Sequence, residues 1–286
     1  MPILRTELLP GYPIFQVDHP AVTARIALHG AHLMEWTPVG EAAALYLSPQ
    51  AVYEPGKAIR GGVPVCWPWF GPNASDPSLP MHGFVRNRFW KPGDFSETGT
   101  GVRLQFFLTD DAETRRLWPH AFQLELVMEL GASLHMALKM TNSGEAPFTI
   151  TGALHTYLGI GDIHQATVTG LDGISYLDTV GPPSQQVQAG DLDFDREVDR
   201  IYATSHPITI VDAGLARSIT ISGSGSGSAV VWNPWIEKSK TLADLPDGDY
   251  HQFICVETTN ARWDSITLAA GESHVLATEI KITVPS

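Results

Sequence analysis

Two neighbouring segments alternate apolar and polar residues without a break. In 122–130 (FQLELVMEL) Phe122, Leu124, Leu126, Met128 and Leu130 fall on one face, and in 134–140 (LHMALKM) Leu134, Met136, Leu138 and Met140 do the same. Period-two alternation puts successive side chains on opposite faces of a strand, and Gly131, Ala132 and Ser133 between the two runs predict a short hairpin connection. The same pattern, bounded by Gly, Pro, Asn and Asp, predicts strands over 14–17, 22–28, 102–108, 148–154, 208–211, 218–222, 229–232, 253–256 and 274–284. LHGAHLMEW reads as a strand, a turn at Gly30 and a second strand ending at Trp36. Helical spacing is confined to 110–117, ahead of the breaker Pro119.

The chain is therefore expected to be all-β. Many strands with no break in composition point to one large antiparallel sandwich forming a single domain over 1–286. The Ser- and Gly-rich run 222–228 has β-rich sequence directly on both sides, so it reads as a mobile loop tip within that domain rather than a linker. No repeat of fixed period runs through the chain.

Composition narrows the functional classes. A formal net charge of −13 argues against nucleic acid as a partner, which would need a broad basic face. The opening residues interrupt their apolar positions with Arg5, Glu7 and prolines, unlike a secretory leader, and no 18-residue apolar run predicts a membrane helix. The two cysteines, Cys66 and Cys255, form neither a disulfide framework nor a metal motif. Cytoplasmic residence with reduced thiols is the expectation.

Against this acidic background, 57–91 is a basic island, with Lys57, Arg60, Arg86, Arg88 and Lys91 set against the single acid Asp76. It suits an anionic ligand, or else a hairpin decorated with solvated arginines. The island also holds His82, able to carry a proton near neutral pH, and aromatics such as Trp67, Trp69 and Phe70 that can line a sugar-sized pocket. Residues three apart on a strand face opposite sides, so His29 and His32 make a poor metal pair. His155 ends the run FTITGALH on the face of Thr149, Thr151 and Ala153, pointing to a polar concavity or simply to the surface. Glu257 closes FICVE on the face of Phe253 and Cys255, as a turn residue or as a base held partly out of water.

RGGVPVCWPWFGP, LPMHGFVRNRFW, GALHTYLGI, EVDRIY, VVWNPW and FICVETTN occur in one order along most of the chain. Together they resemble the hexose-6-phosphate mutarotase (glucose-6-phosphate 1-epimerase) branch of the aldose 1-epimerase family. The resemblance implies a galactose mutarotase-like β-supersandwich with a sugar in its concave surface, no metal, no organic cofactor, and a small sugar phosphate as the partner. The implied reaction interconverts α and β anomers at C1, with Glu257 as general base, His155 as general acid toward the ring oxygen and His82 supporting that oxygen. An exposed, ionised Glu257 beside a protonated His155 is the expected charge state. Arg60 and Arg86 would bind the 6-phosphate through paired charge-assisted bonds, and Asp199, with Asp178 as competitor, would hold sugar hydroxyls. Met81 departs from the polar glutamine often found before the family's histidine, which bears on substrate choice. The other functions compatible with these residues are a mutarotase of unphosphorylated aldoses and a non-catalytic carbohydrate-binding module.

Overall fold

The computed structural model describes residues 2–284. Two eight-stranded sheets dominate it. The first, the far sheet, runs in spatial order Ala166–Thr169, Ile208–Asp212, Arg217–Ser224, Ser273–Thr283, Ser133–Asn142, Phe122–Gly131, Gly101–Thr109 and Lys91–Thr98. The second, the site sheet, runs Ser184–Val187, Ser175–Asp178, Val198–Tyr202, Ser228–Asn233, Phe253–Asn260, Gly152–Leu154 and Val65–Cys66, with Tyr157–Gly159 also pairing Phe253–Asn260. A four-stranded antiparallel sheet of Ile3–Leu9, Tyr12–His19, Val22–Ala27 and His32–Pro38 adds to these. All strand pairs within the named sheets are antiparallel, the arrangement expected of the alternating pattern. No helix among the described residues is long and apolar enough to cross a membrane.

The far sheet follows from its hairpins. Phe122–Gly131 and Ser133–Asn142 pair in register, with Leu126 opposite Leu138 and Met128 opposite Met136. The predicted apolar faces of both are buried and join one core with Val102, Leu104 and Phe106 from the neighbouring strand. Ile254, Val256, Val231 and Leu154 of the site sheet belong to the same core, so the two sheets share their apolar interior.

Three expectations are revised. The run 148–154 is not one strand: Phe148–Ile150 pairs with Ile266–Leu268 in a small separate sheet, and Gly152–Leu154 joins the site sheet. The break falls at Thr151, whose N–H donates to the Pro68 carbonyl and whose hydroxyl accepts from the Phe70 N–H. Helix is limited here to Thr114–Leu117, and Asp111 Oδ1 accepts from the Thr114 N–H at its start. The Ser and Gly run is mostly strand, and only 225–227 lie outside Arg217–Ser224 and Ser228–Asn233. That short link carries the chain from the far sheet to the site sheet, and it is tied down. The Gly225 carbonyl accepts from Asn260 Nδ2 at 2.9 Å, and the Gly227 N–H donates to Asp264 Oδ2 at 2.7 Å.

Candidate active site

The strand Phe253–Asn260 has no exposed residue, because both of its faces are covered. Ile254 and Val256 enter the core, while Phe253, Cys255 and Glu257 alternate to the other side, where Phe253 and Cys255 pack with Tyr46, Tyr157 and Leu245. Cross-strand register then sets the neighbours of Glu257. Val230 lies opposite it, and Ile201 lies opposite Val230; two residues along, Cys255, Trp232 and Asp199 form the parallel row. Leu154 pairs Thr258 and Tyr157 pairs Cys255, so the same register brings His155 beside Glu257. His155 Nε2 lies 3.4 Å from Glu257 Oε1.

These residues open into a cavity of about 420 Å³ that is also lined by His82, Arg60, Arg86 and Asp199. A volume of this order holds a small polar ligand. His82 reaches it from the loop after the tryptophan-rich run, on a left-handed backbone with φ of 63°. The next residue, Gly83, has φ of 74°, and a Cβ there would sit 1.9 Å from the Trp67 carbonyl oxygen, so only glycine lets the two segments meet. The His82 Nδ1 accepts from the Gly71 N–H at 3.2 Å. In a neutral ring this leaves Nε2 as the proton-bearing donor. Burial, and then Arg86 and Arg60, push His82 down to about 3, so it is neutral at physiological pH.

The charge state expected for the acid and the base is corrected by their burial. Glu257 is 1 % exposed and His155 8 %. Burial raises the Glu257 carboxyl well above the usual carboxylate range, with Asp199 adding to the effect. It holds His155 well below the ordinary imidazole value, with His82, Arg86 and Arg60 pushing the same way. Both groups thus favour their uncharged forms, and at 3.4 Å they are close enough to share one proton. His155 Nδ1 and Glu257 Oε2 are buried with no hydrogen-bond partner among the described residues. His155 stacks on Tyr157 with ring centroids 4.9 Å apart and a 10° angle, and Trp232 meets it edge-on, so its ring plane is fixed.

The basic island divides. Arg60 lines the cavity with Nε donating to Asp244 Oδ1 at 3.1 Å and Nη1 to the Tyr157 hydroxyl at 2.9 Å. Arg86 donates through Nη2 to the Met81 carbonyl at 2.8 Å, and its Nε is buried without a partner among the described residues. Met81 lines the same cavity. Arg88 turns away to Glu113 and Asp111, and Lys57 is exposed outside the cavity.

Of the two competing aspartates, Asp199 lines the cavity, where burial raises its carboxyl. Asp178 does not: it sits across the ladder from Arg200 and lies 3.6 Å from its Nε, outside the lining. His29 and His32 are likewise structural, accepting the Gly56 N–H and facing the Gly61 carbonyl respectively. Sequence reasoning did not single out Tyr157, Asp244, Lys238 or Arg262, all of which line the cavity. Tyr157 stands two residues after His155, a spacing that alternation could have used. The others lie in segments without periodicity and carry no such signal.

The arrangement offers a carboxyl–imidazole pair in contact, a neutral imidazole donor and three guanidinium groups around one small cavity. Comparison with known proteins adds a family to this geometry. The family model described as aldose 1-epimerase matches residues 13–281. An Escherichia coli K12 protein named "Putative glucose-6-phosphate 1-epimerase" is 40% identical over 91% of this chain and 87% of its own length. Its namesake in Salmonella typhimurium is 38% identical over the same shares. A crystal structure of a "putative mutarotase (YeaD)" from Salmonella typhimurium superposes with a TM-score of 0.93 at 37% identity, covering 99% of this chain and 94% of the other.

Proposed function

The chain belongs to the aldose 1-epimerase family, and on that premise we propose that it interconverts the α and β anomers of a hexose 6-phosphate, glucose 6-phosphate first among them. The observation that carries this reading is the Glu257–His155 contact at 3.4 Å, with an unsatisfied atom on each partner, in a cavity that also holds His82, Arg60 and Arg86. The reading treats 1–286 as one domain, since the cavity draws on residues from Ala58 to Arg262.

In the proposed reaction the Glu257 carboxylate takes the proton of the C1 hydroxyl while His155 gives its proton to the ring oxygen. The C1–O5 bond breaks with its electron pair on O5, and C1=O1 forms. Rotation about C1–C2 presents the other face of the aldehyde, and closure returns both protons. The His82 Nε2–H donates to the ring oxygen and supports the developing alkoxide. Asp199 binds sugar hydroxyls, while Arg60 and Arg86 bind the phosphate.

Burial favours protonated Glu257 and neutral His155, the reverse of what the first step needs. Transfer of one proton across the 3.4 Å contact converts one arrangement into the other. A phosphate dianion on Arg60 and Arg86 offsets the positive field that these arginines exert on His155 and equally offsets the field of Arg86 that lowers Glu257, so it shifts both groups towards their protonated forms.

The test follows a freshly dissolved pure anomer by polarimetry or by the anomeric proton signals. Faster equilibration of glucose 6-phosphate than of glucose is expected, with the preference shrinking in Arg60→Ala and Arg86→Ala. Equal acceleration of both sugars would move the assignment to a mutarotase of unphosphorylated aldoses. Absence of acceleration with any aldose or aldose phosphate refutes it.

A further inference from the structure

Asp162, His164 and His251 meet outside the cavity, on two short 3-10 turns, Ile163–Gln165 with its capping residue Asp162 and Asp249–Gln252. One ligand atom from each lies within 4.8 Å of the other two. His251 Nδ1 is 4.0 Å from Asp162 Oδ1, and the two imidazoles meet edge to face with centroids 5.1 Å apart. Backbone hydrogen bonds hold the frame: Ile160 N–H to the Gln252 carbonyl at 2.9 Å and Ala213 N–H to the Gln165 carbonyl at 3.0 Å. Neither imidazole has a side-chain hydrogen bond among the described residues, although Asp162 Oδ1 accepts the His164 N–H at 2.9 Å. The donors are therefore available, and their backbone is fixed.

We propose that Asp162, His164 and His251 form a surface site for a divalent cation of borderline softness, Zn²⁺ above all. Two imidazoles and one carboxylate are the donor set such ions take, whereas Mg²⁺ and Ca²⁺ prefer oxygen alone. Zinc bonds of about 2.0–2.1 Å put neighbouring donors of a tetrahedron roughly 3.3 Å apart, so the side chains close by about an ångström. Asp162 and His251 are 37% and 40% exposed, which leaves them room to rotate. Water fills the fourth position. The ion joins two segments distant in sequence, so its effect is a cross-link that stabilises the folded chain, with no part in the anomerisation.

The experiment is calorimetric titration of the metal-stripped full chain with ZnCl₂ and with NiCl₂, followed by thermal melts. One ion per chain is expected to bind, and Zn²⁺ at a hundredfold excess over its Kd is expected to raise the melting temperature by about 5 °C. His164→Ala combined with His251→Ala removes both effects and leaves the anomerisation rate unchanged. If the double variant does not fold, His251→Gln alone serves, with an expected affinity loss of at least about tenfold. No binding of either ion to the wild type overturns the proposal. So does equal binding by the variants, which would place the ion elsewhere.

Discussion

The far sheet and the site sheet share one core and are built in opposite ways. In the far sheet the four strands from Lys91–Thr98 to Ser133–Asn142 are neighbours in both sequence and space. In the site sheet Val65–Cys66, Gly152–Leu154 and Phe253–Asn260 lie side by side although long stretches of chain separate them. The far sheet fills its inner face with Leu, Met and Phe. The site sheet buries a glutamate, a histidine and unpartnered polar atoms on its cavity face. Unsatisfied buried groups destabilise a fold; the far sheet keeps its buried Arg217 beside Asp212 at 3.5 Å, whereas the site sheet leaves its carboxyl–imidazole pair facing a cavity.

The sharpest way to break this comparison is Glu257→Gln. It is expected to lower kcat by about 10²–10⁴-fold in the anomerisation assay, and at neutral to alkaline pH to raise the melting temperature. The sign follows from linkage. The folded carboxyl is raised above its unfolded value, so the wild type loses stability as pH rises from the usual carboxylate range through the folded value. The gain on substitution should therefore be largest above that value and vanish near pH 4. Melts across pH that show a loss instead would mean that the ionised carboxylate is welcome in the cavity.

Leu138→Ala is the converse experiment. Leu138 is fully buried opposite Leu126, and its truncation should cost about 2–5 kcal/mol in denaturant unfolding. The kcat/KM of the folded fraction should be unchanged. A large kinetic effect would mean that the two sheets are less separable than their chemistry suggests.

The pH profile of kcat/KM sharpens the comparison further, because the proposed pair must hold one proton. Activity is expected to be level between the depressed His155 value and the raised Glu257 value. It should fall in acid only below the ordinary imidazole range, since His155 is depressed, and in alkali only above the ordinary carboxylate range, since Glu257 is raised. The smallest difference is between two aspartates. Asp199→Asn should raise KM or lower kcat by about tenfold or more, the loss of a charged hydrogen bond to substrate, whereas Asp178→Asn should change either by less than about twofold.

Legibility followed the same division. Alternation gave the central hairpin of the far sheet to within a residue or two, because one face is core and the other is solvent. It missed Ser184–Val187, which is exposed throughout, and Val65–Cys66, which is buried on both sides, since neither has an apolar face to contrast with a polar one. It also ran 148–154 together, because the Thr151 break depends on contacts with Phe70 and Pro68. Within the cavity, His82, His155, Glu257, Asp199, Arg60 and Arg86 stood out through motifs. Asp244, which holds Arg60, and Lys238 come from segments whose place depends on tertiary contacts alone. The charge state of Glu257 was misread for the same reason, since burial on both faces of a strand is a property of its neighbours.

The link at 225–227 has a consequence for how the molecule opens. Its Gly225 carbonyl accepts from Asn260, at the end of the strand that carries Glu257, and also faces His274 Nε2 at 2.8 Å on the far sheet. Ser228, just beyond it, bonds through its hydroxyl to Thr259 and receives the Ala261 N–H. Freeing the strand that carries Glu257 therefore means loosening the far sheet as well. Backbone amides around Glu257 should exchange with solvent deuterium as slowly as those of the central hairpin, so that the proposed reactive centre belongs to the last cooperative unit to open rather than to a fluctuating loop.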